Sequence, residues 1–262
     1  MVDFLLYMLA GVFVGLASGL FGIGGGTIAV PAMLPLFAAQ GLDRDVAMHV
    51  AVASSMATIV VTGLSSARAH WRLGNILWDA LPWLVGGLVL GALLGTQVVA
   101  MLGGDTLRLI FSVFVLLLAV RMLLGGQPRP ARIMLPRAVM TLTGTVIGAI
   151  SALVGIGGGA MVVPFLAWTG VQMREAVGTS AASGVFLALA GTIGFIFAGS
   201  GEEQLPALST GYIYWPAVVG ITAASIFMAP VGARLANRLP QVWLRRAFAV
   251  FLIGVGLRLM FS

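Results

Sequence analysis

The sequence predicts an all-α polytopic membrane protein of two inverted-topology repeats, each a glycine-broken helix pair followed by three spanning helices. Three observations carry that expectation. The chain is 60% hydrophobic and only 8% charged, against about 25% charged in soluble domains. Apolar runs such as 81–102, 109–124 and 177–198 approach or exceed the ~18 residues that mark a membrane span. One glycine-rich motif occurs twice inside such runs, as "FGIGGG" at 21–26 and "VGIGGG" at 154–159.

Apolar periodicity and its breaks place ten helical segments. They are 4–21, 27–39, 45–67, 76–101, 105–124, 138–154, 160–169, 171–198, 211–236 and 240–261. The first, "MVDFLLYMLAGVFVG", lacks a basic leader region and reads as a retained membrane segment rather than a signal peptide. Segment 27–39 reaches only about 20 Å at 1.5 Å per residue, too little for a hydrocarbon core about 30 Å thick. Segment 160–169 is shorter still. Each glycine hexapeptide is therefore expected to turn the chain at depth, where irregular backbone needs protein or a water-filled cavity around it. Residues 125–137, "GGQPRPARIMLPR", hold three prolines and three arginines and read as a cytoplasmic linker. The expected division is a first repeat at 1–124, the linker at 125–137 and a second repeat at 138–262.

The two halves align. "GLASGLFGIGGGTIAVP" at 15–31 matches "GAISALVGIGGGAMVVP" at 148–164 in ten of seventeen positions. Arg108, Phe111, Phe114 and Arg121 near the end of the first half pair with Arg245, Phe248, Phe251 and Arg258. A two-copy repeat fits a transporter-type fold better than a solenoid, which needs three or more copies. The arginine-rich, acid-free stretches 68–72, 121–137 and 234–246 belong in the cytoplasm by the positive-inside bias. The acidic or mixed stretches 43–45, 103–106 and 200–204 then face out. With an odd number of crossings per half, the repeats are inverted and both termini are external. The expected location is the cell (inner) membrane.

All fourteen basic residues are arginine, so the net charge of +6 reflects loop bias rather than a nucleic-acid surface. No cysteine is present, which removes disulfides, thiolate nucleophiles and cysteine metal sites. "GIGGG" lacks the G-K-[ST] ending of a nucleotide loop, so a pump is not expected. Neither H-E-x-x-H nor G-x-S-x-G occurs. A Ser183/His49 pair alone makes a weak case for an intramembrane enzyme. The protein is not expected to be an enzyme, nor to need a metal or a cofactor.

Glycines at 11, 15 and 19, and small residues at 144, 148 and 152, form stripes that let helices approach closely. The hexapeptides cluster glycine beyond what packing needs. The paired "GIGGG…VP" motifs, "GVQMREAVGTSAAS" at 170–183 and "ARAHWRLGNILW" at 67–78 resemble the sulfite exporter TauE/SafE family of membrane transporters over nearly the whole chain. The resemblance implies transport of small sulfur-containing anions such as sulfite or organosulfonates. The motif "AVGTS" at 176–180 becomes "AVASS" at 51–55 in the first half: the hydroxyls survive, but Ala53 stands where the pattern has glycine.

Helix N-termini carry unpaired N–H groups and about half a positive charge. Two glycine-loop helix starts converging from opposite faces would therefore hold an anion. The substrate is expected between Gly24, Gly25, Gly26 and Thr27 on one side and Gly157, Gly158, Gly159 and Ala160 on the other. Ser54, Ser55, Thr179 and Ser180 are the flanking donors. Half or so of the hydroxyls on these helices simply back-bond to the preceding turn. His49 is a candidate proton relay, because histidine titrates near pH 6.5; an interfacial histidine bonded to a neighbour is the plainer reading. His70 reads as part of an arginine-rich loop. The leading function is a secondary transporter, in the export direction, for small sulfur anions; a passive anion channel, or a carrier of another small organic anion, is the alternative. Partners are the anion and the lipid bilayer; proton or sodium coupling and a homo-oligomer stay open.

Because the chain has no native cysteine, topology is directly testable. Glu203→Cys should label from outside and Arg129→Cys only from the cytoplasm. Labelling of both from one side would end this arrangement.

Overall fold

The computed structural model describes residues 2–21, 25–124, 135–202, 204–236 and 241–261. Gly22, Ile23 and Gly24 of the first hexapeptide, most of the expected linker, and the probe positions Arg129 and Glu203 lie outside the described residues. Ten helices are seen among the described residues. They are α1 (Val2–Phe21), α2 (Gly26–Ala39), α3 (Arg44–Arg72), α4 (Leu81–Ala100), α5 (Gly104–Leu124), α6 (Arg137–Val154), α7 (Gly159–Trp168), α8 (Met173–Ala198), α9 (Trp215–Ala236) and α10 (Gln241–Phe261). A two-strand hairpin, β1 (Ser209–Thr210) with β2 (Ile213–Tyr214), precedes α9.

Among the described residues, six helices are long and apolar enough to cross a membrane: α3, α4, α5, α6, α8 and the 215–232 part of α9. This is a multi-pass membrane protein built almost entirely of helices. The short helices fall where expected, α2 with 14 residues and α7 with 10. The chain folds back between α1 and α2. The Tyr7 hydroxyl near the start of α1 donates to Gln40 Oε1 beyond the end of α2, at 3.1 Å. Tyr7, Phe37 and Tyr214 close an aromatic triangle with ring centroids 5.9–6.1 Å apart.

Three segment boundaries need correction. α3 does not stop at 67 but continues to Arg72, carrying Arg68, His70 and Arg72 on helix rather than loop. It ends at Gly74 (φ 68°), where the Asn75 N–H bonds the His70 carbonyl and the Gly74 N–H bonds that of Trp71. This is a Schellman cap, which needs a residue free to adopt positive φ. α4 starts at Leu81, not 76, because Pro82 sets the first turn. Residues 211–214 belong to the hairpin, where Gly211 (φ 53°) makes the bend.

The halves interleave. α1 packs on α9, α4 on α6, α3 on α8 and α5 on α10. α3 is central and mostly buried, while α5 is peripheral and mostly exposed. The small-residue stripes do pack helices. A Cβ on Gly11 would lie 2.5 Å from the Ile221 carbonyl oxygen of α9, and one on Gly144 would lie 2.8 Å from the Leu84 carbonyl oxygen of α4. The α4–α6 seam is closest: Cβ atoms on Gly87 and Gly91 would collide with the Thr141 and Thr145 carbonyls. Without a hydrophobic drive between helices in lipid, such close packing carries the association.

Adjacent glycines on α4 give a test. Gly87 faces α6, whereas nothing lies within 4 Å of a Cβ on Gly86. Gly87→Ala should lower stability by about 1–3 kcal/mol through overpacking. Gly86→Ala should be neutral or stabilising by up to about 1 kcal/mol. Denaturant unfolding in detergent measures both, and equal effects would refute the seam.

Candidate functional site

The second hexapeptide is a turn built on two left-handed glycines. Gly155 (φ 68°) ends α6, and Gly158 (φ 74°) caps the start of α7. In the first hexapeptide Gly25 (φ 59°) stands at the same place before α2. A side chain is strained at these angles, so glycine is required by backbone geometry. The first intrahelical bonds come from the Ile28 and Ala29 N–H to the Gly25 carbonyl, and from the Met161 and Val162 N–H to that of Gly158. The N–H groups of Gly26, Thr27, Gly159 and Ala160 precede those bonds and belong to the unpaired first turn.

The two loops meet. A Cβ on Gly26 would collide with the Gly155 carbonyl and lie 3.1 Å from the Ile156 Cα. Around the second loop, a Cβ on Gly157 would lie 2.6 Å from Ile59 Cγ2 of α3, and one on Gly184 of α8 would lie 2.6 Å from the Gly157 carbonyl oxygen. The Ser55 hydroxyl donates to the Gly155 carbonyl at 2.8 Å, which ties α3 to the loop.

The four flanking hydroxyls divide into two kinds. Ser54 Oγ accepts the Tyr214 N–H at 3.0 Å, and Thr179 Oγ1 accepts the Leu77 N–H at 2.9 Å. Each holds the backbone before a helix of the opposite half. Ser55 serves the loop. Ser180 Oγ, its counterpart by alignment, is buried with no hydrogen-bond partner. An unmet buried hydroxyl costs about 1–3 kcal/mol. Thr27 Oγ1 in the first turn of α2 is unmet too. Elsewhere on α3 and α8, Thr58, Thr62 and Ser183 back-bond to the preceding turn.

A cavity of about 410 Å³ opens from this junction. Gly25, Ser55, Gly157, Gly159 and Ser180 line one end, and Ser66, Ala69 and His70 line the other. Gly26, Thr27, Ser54, Gly158, Ala160 and Thr179 stand around it without lining it. Gly24 lies outside the described residues. Among the described lining residues there is no carboxylate and no arginine, and the one ionisable side chain is that of His70. Sequence reasoning missed His70 because it ended α3 early. The signal was present: residues 55, 58, 62 and 66 are hydroxyl-bearing at spacings that keep them on one helix face, and the cavity follows that face.

His49 is buried and off the cavity. Its Nδ1 lies 2.7 Å from the Asp45 carbonyl, and its Nε2 lies 3.1 and 3.0 Å from the carbonyls of Val99 and Leu102. Its ring stacks on Tyr212 at 5.1 Å between centroids. Carbonyls accept only, so a neutral ring donates to one side and the protonated ring to both. The residue joins the start of α3 to the end of α4.

A multi-pass bundle enclosing a polar-ended cavity, at a junction of broken helices, defines a membrane transporter. The chain belongs to the sulfite exporter TauE/SafE family, whose profile matches residues 7–259. It is 38% identical to a probable membrane transporter protein of Haemophilus influenzae over 97% of both chains. It is 22% identical to the probable membrane transporter protein YunE of Bacillus subtilis, covering 100% of this chain and 98% of the relative. A probable membrane transporter protein of Methanocaldococcus jannaschii is 28% identical over 86% of this chain and 81% of the relative. No solved structure matches the chain.

The cavity predicts a pattern of chemical access. Ser66→Cys should react rapidly with a small water-soluble thiol reagent, and Ser180→Cys more slowly. Ser54→Cys, fully buried against Tyr214, should stay unreactive in the folded protein. Reaction of Ser54→Cys at the Ser66→Cys rate would place the cavity elsewhere.

Proposed function

We propose that the protein is a secondary transporter of small sulfur-containing anions, sulfite or organosulfonates, acting as an exporter in the cell membrane. The observation that carries this reading is the unpartnered, buried hydroxyl of Ser180, a residue of the cavity wall where two glycine-capped helix starts meet. Helix N-termini favour anions by about 0.3–2 kcal/mol each, and their N–H groups add charge-assisted hydrogen bonds. A site of such donors binds an oxyanion loosely enough to release it. The lack of acids among the described lining residues disfavours a cation substrate. The family's name supplies the sulfite assignment.

The inverted relation of the two halves, with both termini external, is part of the proposal and fits alternating access by one half rocking on the other. In that scheme the arginine-bearing end of α3 is cytoplasmic, and the cavity is the inward-facing vestibule. Packing of Gly26 on the Gly155 carbonyl stands across its inner end, which favours a carrier over an open channel. A proton relay through His49 would require its three carbonyl contacts to exchange during the cycle.

The test is flux into liposomes of sulfite, sulfate, sulfoacetate, taurine and chloride, with pH and sodium gradients imposed separately. Sulfite or sulfoacetate should be moved in preference to chloride and taurine, with a gradient dependence that a passive channel lacks. Ser180→Ala should reduce that flux by about tenfold, as loss of one charge-assisted hydrogen bond implies, while the purified protein remains folded. Normal flux in Ser180→Ala, or no anion movement by the wild type, would remove this reading.

A further inference from the structure

Ile59 of α3 stands where the two glycine loops meet. A Cβ on Gly26 would lie 3.0 Å from Ile59 Cδ1, and one on Gly157 would lie 2.6 Å from Ile59 Cγ2 and 3.5 Å from its Cδ1. The isoleucine side chain therefore occupies space that two glycines leave open, one from each hexapeptide. It is 4% exposed and belongs to the wall of the central cavity.

Its place along α3 is as informative as its contacts. Ser55, Ile59, Thr62 and Ser66 follow one another at spacings of three or four residues, so they share a helix face. All four line the cavity, and Ile59 is the apolar member of the set. At 1.5 Å per residue it stands about 10 Å along the helix from Ser66 and about 6 Å from Ser55. Isoleucine in a helix has one strongly preferred χ1 rotamer, which makes it a fixed stop rather than a swinging lid. The aligned position in the second half is Gly184, where α8 meets the Gly157 carbonyl oxygen with backbone alone. One half brings a bulky side chain to the junction, and the other brings none.

We propose that Ile59 is the size filter of the central cavity. A compact anion passes it between Ser66 and Ser55, and its methyl groups set the largest tail that a transported sulfonate can carry. The substrate class rests on the transport reading. The barrier itself rests on packing alone.

Flux through the full-length chain in liposomes tests it, with methanesulfonate and butanesulfonate as probes that share a head and differ in tail. Wild type should move methanesulfonate faster by about tenfold or more, the low end of what one methylene decides in an apolar pocket. Ile59→Ala should raise the relative rate of butanesulfonate by about tenfold, with Ile59→Val in between. Val185→Ala, a truncation on the α3–α8 seam outside the cavity wall, should keep the wild-type ratio. A second readout needs no transport. A sulfonate-bearing thiol reagent should modify Ser55→Cys faster in the presence of Ile59→Ala than without it, by about tenfold on the same scale. If the wild type moves no sulfonate, the transport reading falls, and the labelling rate alone decides the barrier. Should Ile59→Ala fail to fold, Ile59→Val must shift flux ratio and labelling in the same direction. An unchanged labelling rate, an unchanged ratio in a protein that transports, or the same changes in Val185→Ala would overturn the proposal.

Discussion

Backbone meets backbone where Gly26 packs on the Gly155 carbonyl, and the positions of the surrounding helices follow from that contact. Any Cβ there would push the two loops apart, and with them the starts of α2 and α7. α3 is fixed to the same point by the Ser55 hydroxyl and by Val52, whose backbone lies 3.0 Å from a Cβ built on Gly155. α8 is fixed by Gly184 against the Gly157 carbonyl. In an apolar solvent, polar backbone at such a point must be satisfied internally or face water. The fold does both: the Gly155 carbonyl is bonded, and the neighbouring loop residues line the cavity.

The hydroxyl pairs at 54–55 and 179–180 show how one motif serves two tasks. Ser54 and Thr179 hold chain segments of the other half, 160 and 102 residues away in sequence. Ser55 and Ser180 sit one residue further, rotated by about 100° around their helices, and both line the cavity. Ser55 is occupied by Gly155 while Ser180 has no partner. That asymmetry between aligned positions leaves one buried hydroxyl without a partner.

The fold class was legible because composition and run length answer directly to the bilayer, and the glycine motif repeats nearly unchanged. The short α2 and α7 were legible from length alone. The end of α3 was not, although Gly74 is the residue a Schellman cap needs; the arginines around it suggested a loop. The hairpin at 209–214 is too short to show a period. Of the eleven expected substrate-site residues that are described, five line the cavity. The structural tasks of Ser54 and Thr179 could not be read from the sequence, because their partners are backbone N–H groups remote along the chain. Ser180 and Thr179 look alike until those partners are known.

The interleaving of halves has a consequence for biogenesis. Gly11 on α1 is covered by α9, and the Ser225 hydroxyl that bonds its carbonyl lies 214 residues further along the chain. At about 5–20 residues per second, a ribosome needs on the order of 10–40 s to make that stretch. Throughout that interval the glycine face of α1 has only lipid, or the insertion machinery, against it. The first half therefore cannot mature as a finished unit while the second is being made. Assembly is set by the last helices to emerge, and a nascent chain halted after α5 holds an unfilled groove along α1.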